Sequence, residues 1–168
     1  VSSVIEREWG HDLIRSWTDN HWMELPAILG DKIARLIGAR PGEVIACDST
    51  SVNLFKVLSA ALSRSTDRNV ILSDRANFPT DLYIADGVIS TMDRDVELRL
   101  VSHEELEGQI DSSVAVLFLT HVDFRYGARY DMKHITKLAH DVGALVIWDL
   151  AHSAGAMPVD LNTCEVDF

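Results

Sequence analysis

The sequence predicts an α/β fold, in which a mainly parallel sheet carries helices on both faces. Two runs of consecutive apolar residues, VAVLFL and ALVIW, are typical of strands that are buried on both sides, as in parallel sheets. Segments with apolar residues at helical spacing lie between these and the other strand candidates. This alternation of strand and helix indicates a sheet covered by helices on both faces.

The elements follow one another with short breaks. A first helix is predicted at 2–17, although Gly10 weakens it, and a second at Leu25–Ile37, which Gly38 ends. The remaining chain is predicted to alternate strands with helices. The strands are expected at 43–47, 69–72, 97–101, 114–119 and 144–148, and the helices at 52–62, 79–91, 103–110 and 132–141. The chain thus divides into an N-terminal helical segment, 1–40, and an α/β part, 41–168.

Composition excludes several classes of function. The formal net charge of −11 makes duplex nucleic acid and anionic membranes poor partners. No apolar run approaches the roughly 20 residues of a membrane span, and the opening VSSVIEREWG lacks the pattern of a signal peptide. Cys47 and Cys164 show neither metal-type nor redox-type spacing, which fits a reducing compartment. A cytoplasmic location is therefore expected.

Three polar clusters stand where strands end, and ligands of open α/β sheets bind at such ends. The first cluster, CDSTSVNLFK, places Ser49, Thr50 and Ser51 before a predicted helix. Backbone N–H groups at a helix start, with hydroxyls beside them, can bind a phosphate. The simpler interpretation is that one hydroxyl caps the helix. The cluster alone favours capping.

The second cluster, SDRANFPTDLY, joins a predicted strand to a predicted helix. Phe78 is unusual there, because it stands in a polar turn. Its ring could be a staple onto the core, which the turn alone favours, or a plate on which a flat ligand stacks. The polar residues suited to a helix start are Asn77, Thr80 and Asp81.

The third cluster, LVIWDLAHSAG, puts Asp149 at the tip of a buried strand. A metal there is disfavoured, because only His152 offers a second ligand nearby. A triad of Ser153, His152 and Asp149 is disfavoured too, since sequence neighbours rarely reach that geometry and no G-x-S-x-G motif is present. Pairing with a protonated ring nitrogen remains. Together with a phosphate site and an aromatic plate, it describes pyridoxal 5′-phosphate (PLP).

The segments DSTSVNLFK, NFPTDLYIA, LTHVDF and WDLAHSAGAMPVDL resemble, in this order and at similar intervals, the bacterial kynureninases. EWGHDLIRSW and LIGARPGEV resemble the same family, so the likeness covers nearly the whole chain. Kynureninases are fold-type-I PLP enzymes of tryptophan catabolism that hydrolyse L-kynurenine to anthranilate and L-alanine. The resemblance implies that 41–168 is part of a PLP-binding large domain. It also implies a homodimer and L-kynurenine, or its 3-hydroxy form, as the small-molecule substrate.

The resemblance assigns residues to both ends of the cofactor. Those expected at the phosphate are Thr50, Ser51 and Thr80. Those expected around the pyridine ring are Phe78, Asp81, Thr120, Asp149 and His152. Phe78 would stack on the ring, and Asp149 would pair with its protonated nitrogen. A cationic ring would thus balance a buried carboxylate.

The chain departs from the family pattern in two places. Where the family has a segment resembling N-Y-x-T-G, residues 123–127 read DFRYG. The family's Schiff-base lysine follows a segment resembling V-D-F-A, and the sequence ends at Val166, Asp167 and Phe168. The lysines present are Lys32, Lys56, Lys133 and Lys137, all in helical patterns that do not match. The residues given are therefore expected to include no catalytic residue and to be inactive alone.

Other functions remain compatible with this pattern. A cysteine desulfurase or a class-V aminotransferase would share the fold and the cofactor but act on other bonds. A non-catalytic module with the same fold would need no lysine. Trp17 and Trp22 could line an aryl pocket or pack the N-terminal helices, and packing is favoured.

Overall fold

The computed structural model describes residues 1–168, which separate into two compact units, Val1–Cys47 and Asp48–Phe168. The first unit is helical, and the second contains the sheet. The functional boundary expected between residues 40 and 41 stays a prediction.

The first helix of the N-terminal unit is present but irregular. It begins as a π-helix at Val4–Asp12, tightens to a 3₁₀ turn at Leu13–Arg15 and ends as a short α-helix, α1, at Ser16–Asp19. Gly10 lies in the widened part, where its low helix propensity weakens regular hydrogen bonding. The rings of Trp17 and Trp22 pack edge to face with their centroids 6.4 Å apart.

The second helix, α2, spans Leu25–Ile37 as predicted. Gly38 ends it in the left-handed conformation, with φ of 66°, which a glycine adopts without strain. The strand predicted at 43–47 is wrong, because this segment's polar groups face α2 instead of another strand. Ala46 N donates to the Pro26 carbonyl at 3.0 Å. The Val44 carbonyl lies so close to Gly30 that a Cβ there would stand 1.9 Å from its oxygen.

The second unit is built on a four-stranded parallel sheet, which confirms the predicted architecture. The strands occur in the order β2-β1-β3-β4 across the sheet. Their bounds are Val70–Asp74 for β1, Glu97–Val101 for β2, Val114–Thr120 for β3 and Leu145–Asp149 for β4. Every residue of β1 and β3 is buried, as their apolar runs predict.

Three longer helices accompany the sheet, at Thr50–Arg64 (α3), Pro79–Ser90 (α4) and Met132–Asp141 (α5). One apolar cluster joins α3 and α4 to Ile71, Val116 and Phe118 of the strands. A second joins α5 to Leu72, Leu117 and Val146, whose side chains alternate with the first set. The sheet is therefore covered on both faces, as predicted.

The helix predicted at 103–110 is wrong. This segment forms turns and a single 3₁₀ turn at Glu107–Gln109. Leu106 is its only buried apolar residue, so the segment has no apolar stripe to hold a longer helix against the sheet. The Glu105 side chain accepts from Ser102 N at 3.1 Å, which favours a turn.

The two sides of the sheet end differently. At the β2 side, Arg99 bridges Glu97 and Asp111, at 3.2 and 3.0 Å. At the β4 side, Phe168 N donates to the Val146 carbonyl at 3.1 Å, and Trp148 N donates to the Phe168 carbonyl at 2.9 Å. No helix in residues 1–168 is long and apolar enough to cross a membrane.

Replacing Gly30 with alanine is expected to destabilise the N-terminal unit by at least about 2 kcal/mol, because the added Cβ would displace the Val44 backbone. The matched control is Gly87→Ala in α4, where a Cβ meets no atom within 4 Å. That change should be neutral or stabilise by up to about 1 kcal/mol. Thermal unfolding followed by circular dichroism measures both. Equal stability of the two variants would contradict the close packing of residue 44 on α2.

Candidate functional site

The candidate site lies at the carboxyl ends of β3 and β4. Thr120 and Asp149 are the last residues of these strands and stand opposite each other in the parallel register. The Thr120 hydroxyl lies 3.5 Å from Asp149 Oδ2. Ala151 N donates to Asp149 Oδ1 at 2.8 Å and fixes the carboxylate in the turn after β4. The buried strands thus deliver a hydroxyl and a carboxylate to one place, as expected for such sheets.

A second carboxyl group, that of Asp81, faces Asp149 from the first turn of α4. Asp81 is only 2% exposed, and its Oδ2 atom is buried without a hydrogen-bond partner. Burial, the negative charge of Asp149 and a hydrogen bond to Asp149 together raise the pKa of Asp81 to about 7. Two acidic groups therefore share a site that favours a cationic ligand group.

Aromatic rings form a wall beside these carboxyl groups. The Phe78 centroid lies 5.1 Å from that of Phe124 and 6.1 Å from that of His152. The rings of Phe124 and His152 are stacked at 6.5 Å. Phe78 belongs to neither apolar cluster of the core. Its surroundings therefore favour the plate over the staple that its turn alone suggested.

Hydroxyl groups stand at the starts of two helices. Ser49 caps α3 and accepts from Val52 N at 3.4 Å, so the capping interpretation holds for this residue. Thr50 and Ser51 occupy the first turn of α3, and Thr80 occupies the first turn of α4. Thr50 and Thr80 are exposed. These positions suit an anion, because unpaired N–H groups and the helix dipole point toward it.

The structure brings part of the predicted set together and leaves the rest apart. Contacts join Thr120 and Asp81 to Asp149, and Phe78 to His152. Thr50, Ser51 and Thr80 stand at helix starts outside these contacts. The Ser153 hydroxyl donates to the Leu150 carbonyl at 3.5 Å. Ser153 is therefore bonded to the backbone of its own turn and does not form a triad with His152. The roles of these residues toward a cofactor stay a prediction.

Asn77 was identified in the sequence only as a polar residue suited to a helix start. In the structure it is 7% exposed, and its side chain contacts Ser73, Phe78 and Thr120. The sequence offered one clue to this role: Asn77 stands between a predicted strand and the Phe-Pro pair, in a turn expected to face the end of a neighbouring strand. That signal does not identify the partner, because Thr120 is distant along the chain.

The altered loop at 123–127 forms a closed turn. The Asp123 carboxylate accepts from the backbone N–H groups of Arg125 and Tyr126, at 2.7 and 2.9 Å. The Arg125 guanidinium donates to Asp123 at 3.0 Å and to the Ala76 carbonyl at 2.9 Å. The departure from the family pattern thus gives a loop tied to the turn that carries Phe78.

A cavity of about 580 Å³ touches the candidate site at Phe78 and Thr120 but is not lined by Asp81, Asp149 or His152. It is lined instead by a second cluster. There, the Tyr130 hydroxyl donates to Asp74, and His103 Nδ1 lies 3.9 Å from the same carboxylate. Burial and the charge of Asp74 raise the pKa of Tyr130. We place the candidate site at the carboxyl pair, because cavity size does not indicate chemistry.

Comparison with known proteins identifies the family. The family model for aminotransferase class-V matches residues 28–168. The chain belongs to the aminotransferase class-V family. Enzymes of this family use PLP, which agrees with the cofactor that the resemblance implies.

Individual relatives point in the same direction. The kynureninase of Pseudomonas fluorescens is 53% identical over the whole chain and that of Burkholderia pseudomallei (strain K96243) is 51% identical over 99% of it. The chain spans only 42% and 41% of these two relatives. The resemblance to kynureninases is thus confirmed as a likeness over about two fifths of their length.

Solved structures confirm the fold. A NifS-like protein superposes with a TM-score of 0.73 at 18% identity, over 99% of this chain and 48% of that protein. The apo structure of a cysteine desulfurase from Thermococcus onnurineus NA1 superposes with a TM-score of 0.65 at 22% identity, over 83% of this chain and 36% of that protein. The predicted α/β architecture of a fold-type-I large domain is therefore confirmed.

Replacing Asp81 with asparagine is expected to flatten the dependence of stability on pH. Since the folded-state pKa of about 7 lies above the ordinary value of 3.8, the folded state binds more protons between these pH values. The free energy of unfolding without cofactor should therefore fall as pH rises from about 4 to 7, and this part of the fall should disappear in Asp81→Asn.

Urea unfolding between pH 4.5 and 8 measures this difference. The matched control is Asp86→Asn, an exposed carboxylate on the same helix, which should keep the wild-type slope. Parallel curves for wild type and Asp81→Asn would show that Asp81 does not hold the proton.

Proposed function

We propose that the protein containing this chain is a kynureninase, which uses PLP to hydrolyse L-kynurenine or its 3-hydroxy form to anthranilate and L-alanine. The observation that carries the proposal is identity of 50–53% to curated kynureninases over 99–100% of the chain. The cysteine desulfurase and the NifS-like protein share the fold at only 22% and 18% identity.

The residues present fit PLP. A protonated pyridine nitrogen placed against Asp149 would supply the cation that the carboxyl pair lacks, and it would lower the electrostatic cost of placing half-buried Asp149 beside buried Asp81. The rings of Phe78 and His152 offer flat surfaces at the same place. The helix starts at Thr50 and Thr80 offer N–H groups suited to a phosphate.

When bound, PLP supplies an electron-accepting ring for cleavage of a carbon–carbon bond. In the proposed site, Asp149 would pair with the ring nitrogen and keep it protonated, and Phe78 would stack on the ring and exclude water. The Thr120 hydroxyl would stand beside the ring, 3.5 Å from Asp149 at the end of β3. Thr50, Ser51 and Thr80 would hold the phosphate, and Asp81 and His152 would border the ring.

The lysine that attaches PLP is proposed to lie outside residues 1–168. Lys56 pairs with Asp48, and Lys137 pairs with Asp141 at 2.5 Å, both with exposed side chains. These contacts fit the solvated roles predicted from the helical pattern. Since the chain spans 42% of a curated relative, the remaining length offers room for the lysine and for the substrate-binding residues. The 168 residues alone are accordingly expected to be inactive.

A cysteine desulfurase is the second candidate, because the chain superposes on one with a TM-score of 0.65. A desulfurase would release sulfur from cysteine, whereas a kynureninase releases fluorescent anthranilate from kynurenine. A class-V aminotransferase would return a keto acid, and a non-catalytic module would turn over neither substrate. Assays for these products separate the candidates.

The wider setting is proposed on the same basis. A homodimer, a cytoplasmic location and a role in tryptophan catabolism and NAD biosynthesis follow from the kynureninase assignment. The cysteine spacing supports a reducing compartment. Sedimentation of the full-length protein would test the dimer.

The full-length protein is expected to release anthranilate from L-kynurenine and, after PLP addition and borohydride reduction, to carry one pyridoxyl group on a lysine beyond Phe168. The 168-residue chain should show neither. Fluorescence of anthranilate and intact mass measure these results. Activity of the purified 168-residue chain would contradict the assignment of the lysine.

Replacing Asp149 with asparagine in the full-length protein is expected to lower kcat/KM by about 30-fold or more, because the ring nitrogen loses its charged partner. The matched control, Asp141→Asn, removes an exposed carboxylate that pairs with Lys137. It should change kcat/KM by no more than about twofold. Similar activity of both variants would remove Asp149 from the proposed site.

A further inference from the structure

We propose that Asn77 is a positioning residue whose buried amide holds the Phe78 ring and the Thr120 hydroxyl in place for the cofactor. The inference rests on the proposed function, because it assigns these two residues to the ring of PLP. None of the motif roles drawn from the resemblance includes Asn77. The positioning role is inferred from the hydrogen bonds of the Asn77 amide, from its burial and from the orientation that these hydrogen bonds impose on it.

The amide oxygen of Asn77 joins two segments that are distant in sequence. Oδ1 accepts from Phe78 N at 2.8 Å, from Thr120 N at 3.2 Å and also from the Thr120 hydroxyl. One acceptor atom therefore holds the backbone that carries the Phe78 ring and the side chain at the end of β3. If the oxygen is removed, these donors lose their partner in a buried place, which is costly.

The orientation of the amide is fixed by its other end. Nδ2 donates to the Ser73 hydroxyl at 3.0 Å, and that hydroxyl donates its own proton to the Phe118 carbonyl at 2.7 Å. Ser73 can therefore only accept from Asn77, which places the amide nitrogen toward Ser73 and the oxygen toward Phe78 and Thr120. The amide therefore has one consistent orientation, because the Ser73 proton is already donated to the Phe118 carbonyl.

The chemistry of an uncharged amide suits this position. An aspartate would supply the oxygen but no donor for Ser73, and it would add a third carboxylate near Asp149, which lies 3.5 Å from the Thr120 hydroxyl. A leucine of similar size would satisfy none of the donors. Unlike aspartate or leucine, asparagine provides both bonds without adding charge beside a site that already holds two carboxyl groups.

The consequence concerns the ring more than the fold. Without Asn77, the turn that carries Phe78 loses its tie to β3, and the Thr120 hydroxyl is free to turn toward Asp149 instead. Phe78 would then cover the cofactor in several orientations, and Asp149 would meet a changed hydrogen-bond environment. Both changes weaken cofactor binding and alter the asymmetry that the protein imposes on the bound ring.

The test compares variants of the full-length protein by PLP affinity from equilibrium dialysis and by the circular dichroism of the bound cofactor at saturation. Asn77→Ala removes the amide. Ser73→Ala removes only the group that orients it and keeps a small side chain.

The stability control is Arg94→Met. Arg94 clamps the carbonyls of Arg68, Leu62 and Ser65 at 2.6–2.9 Å, away from the predicted cofactor residues. This variant should lower the melting temperature without touching the ring.

Asn77→Ala is expected to weaken PLP affinity by about tenfold or more and to change the dichroism of the bound cofactor, and Ser73→Ala should do both to a smaller extent. Arg94→Met should keep the affinity within about twofold and leave the dichroism unchanged, despite its lower melting temperature. If Asn77→Ala does not fold, the PLP affinity and the dichroism of Ser73→Ala test the positioning role instead, and wild-type values for both would overturn it.

Wild-type affinity and dichroism in a folded Asn77→Ala protein would overturn the positioning role while leaving the proposed function intact. The same holds if Arg94→Met weakens binding as much as Asn77→Ala, since general destabilisation would then explain the loss. A wild-type protein that binds no PLP would overturn the proposed function itself, and this inference with it.

Discussion

The parallel pairing of β3 with β4 is the constraint on which the candidate site depends. It places Thr120 opposite Asp149 at the ends of the two strands, and the ladder of backbone hydrogen bonds fixes the positions from which both side chains project. Pairing of β1 with β3 then sets the turn after β1 beside Thr120, which is how Asn77 and Phe78 reach the site. A slip of one residue between β3 and β4 would direct the strand side chains to opposite faces and dissolve this arrangement.

The site also carries an electrostatic cost. Buried Asp81 stands against half-buried Asp149, and at mildly acidic pH Asp81 keeps a proton that an exposed aspartate would have lost. Destabilising arrangements of this kind are typical of functional sites, where residues serve ligand binding or catalysis at the expense of folding stability. A ligand that brings positive charge to this pair would stabilise the folded state in proportion to its own binding.

Much of the architecture could be predicted from the sequence. The bounds of α2 and of β2 are those expected, because a left-handed glycine ends the helix and the strand is short and clearly bounded. The strand predicted at 43–47 failed because apolar pattern says nothing about whether a partner strand is available. At 103–110, a single buried leucine was not enough to support a helix.

The residues of the candidate site also fall into those that the sequence could identify and those that it could not. Asp149 and Phe78 could be identified from local pattern, since a carboxylate at a strand tip and an aromatic ring in a polar turn are both unusual. Asn77 could not, because its meaning comes from Thr120, 43 residues away. The shared proton of Asp81 also depends on a tertiary contact that no spacing encodes.

The pairing of Arg99 with Glu97 and Asp111 has a consequence for assembly. An outer strand with bare N–H and C=O groups is a template on which another chain can add, and natural proteins protect such strands with charge. β2 has this protection, because its ion pairs would have to be desolvated before a foreign strand could approach. The outer side of β2 is thereby a poor template for the addition of a foreign strand.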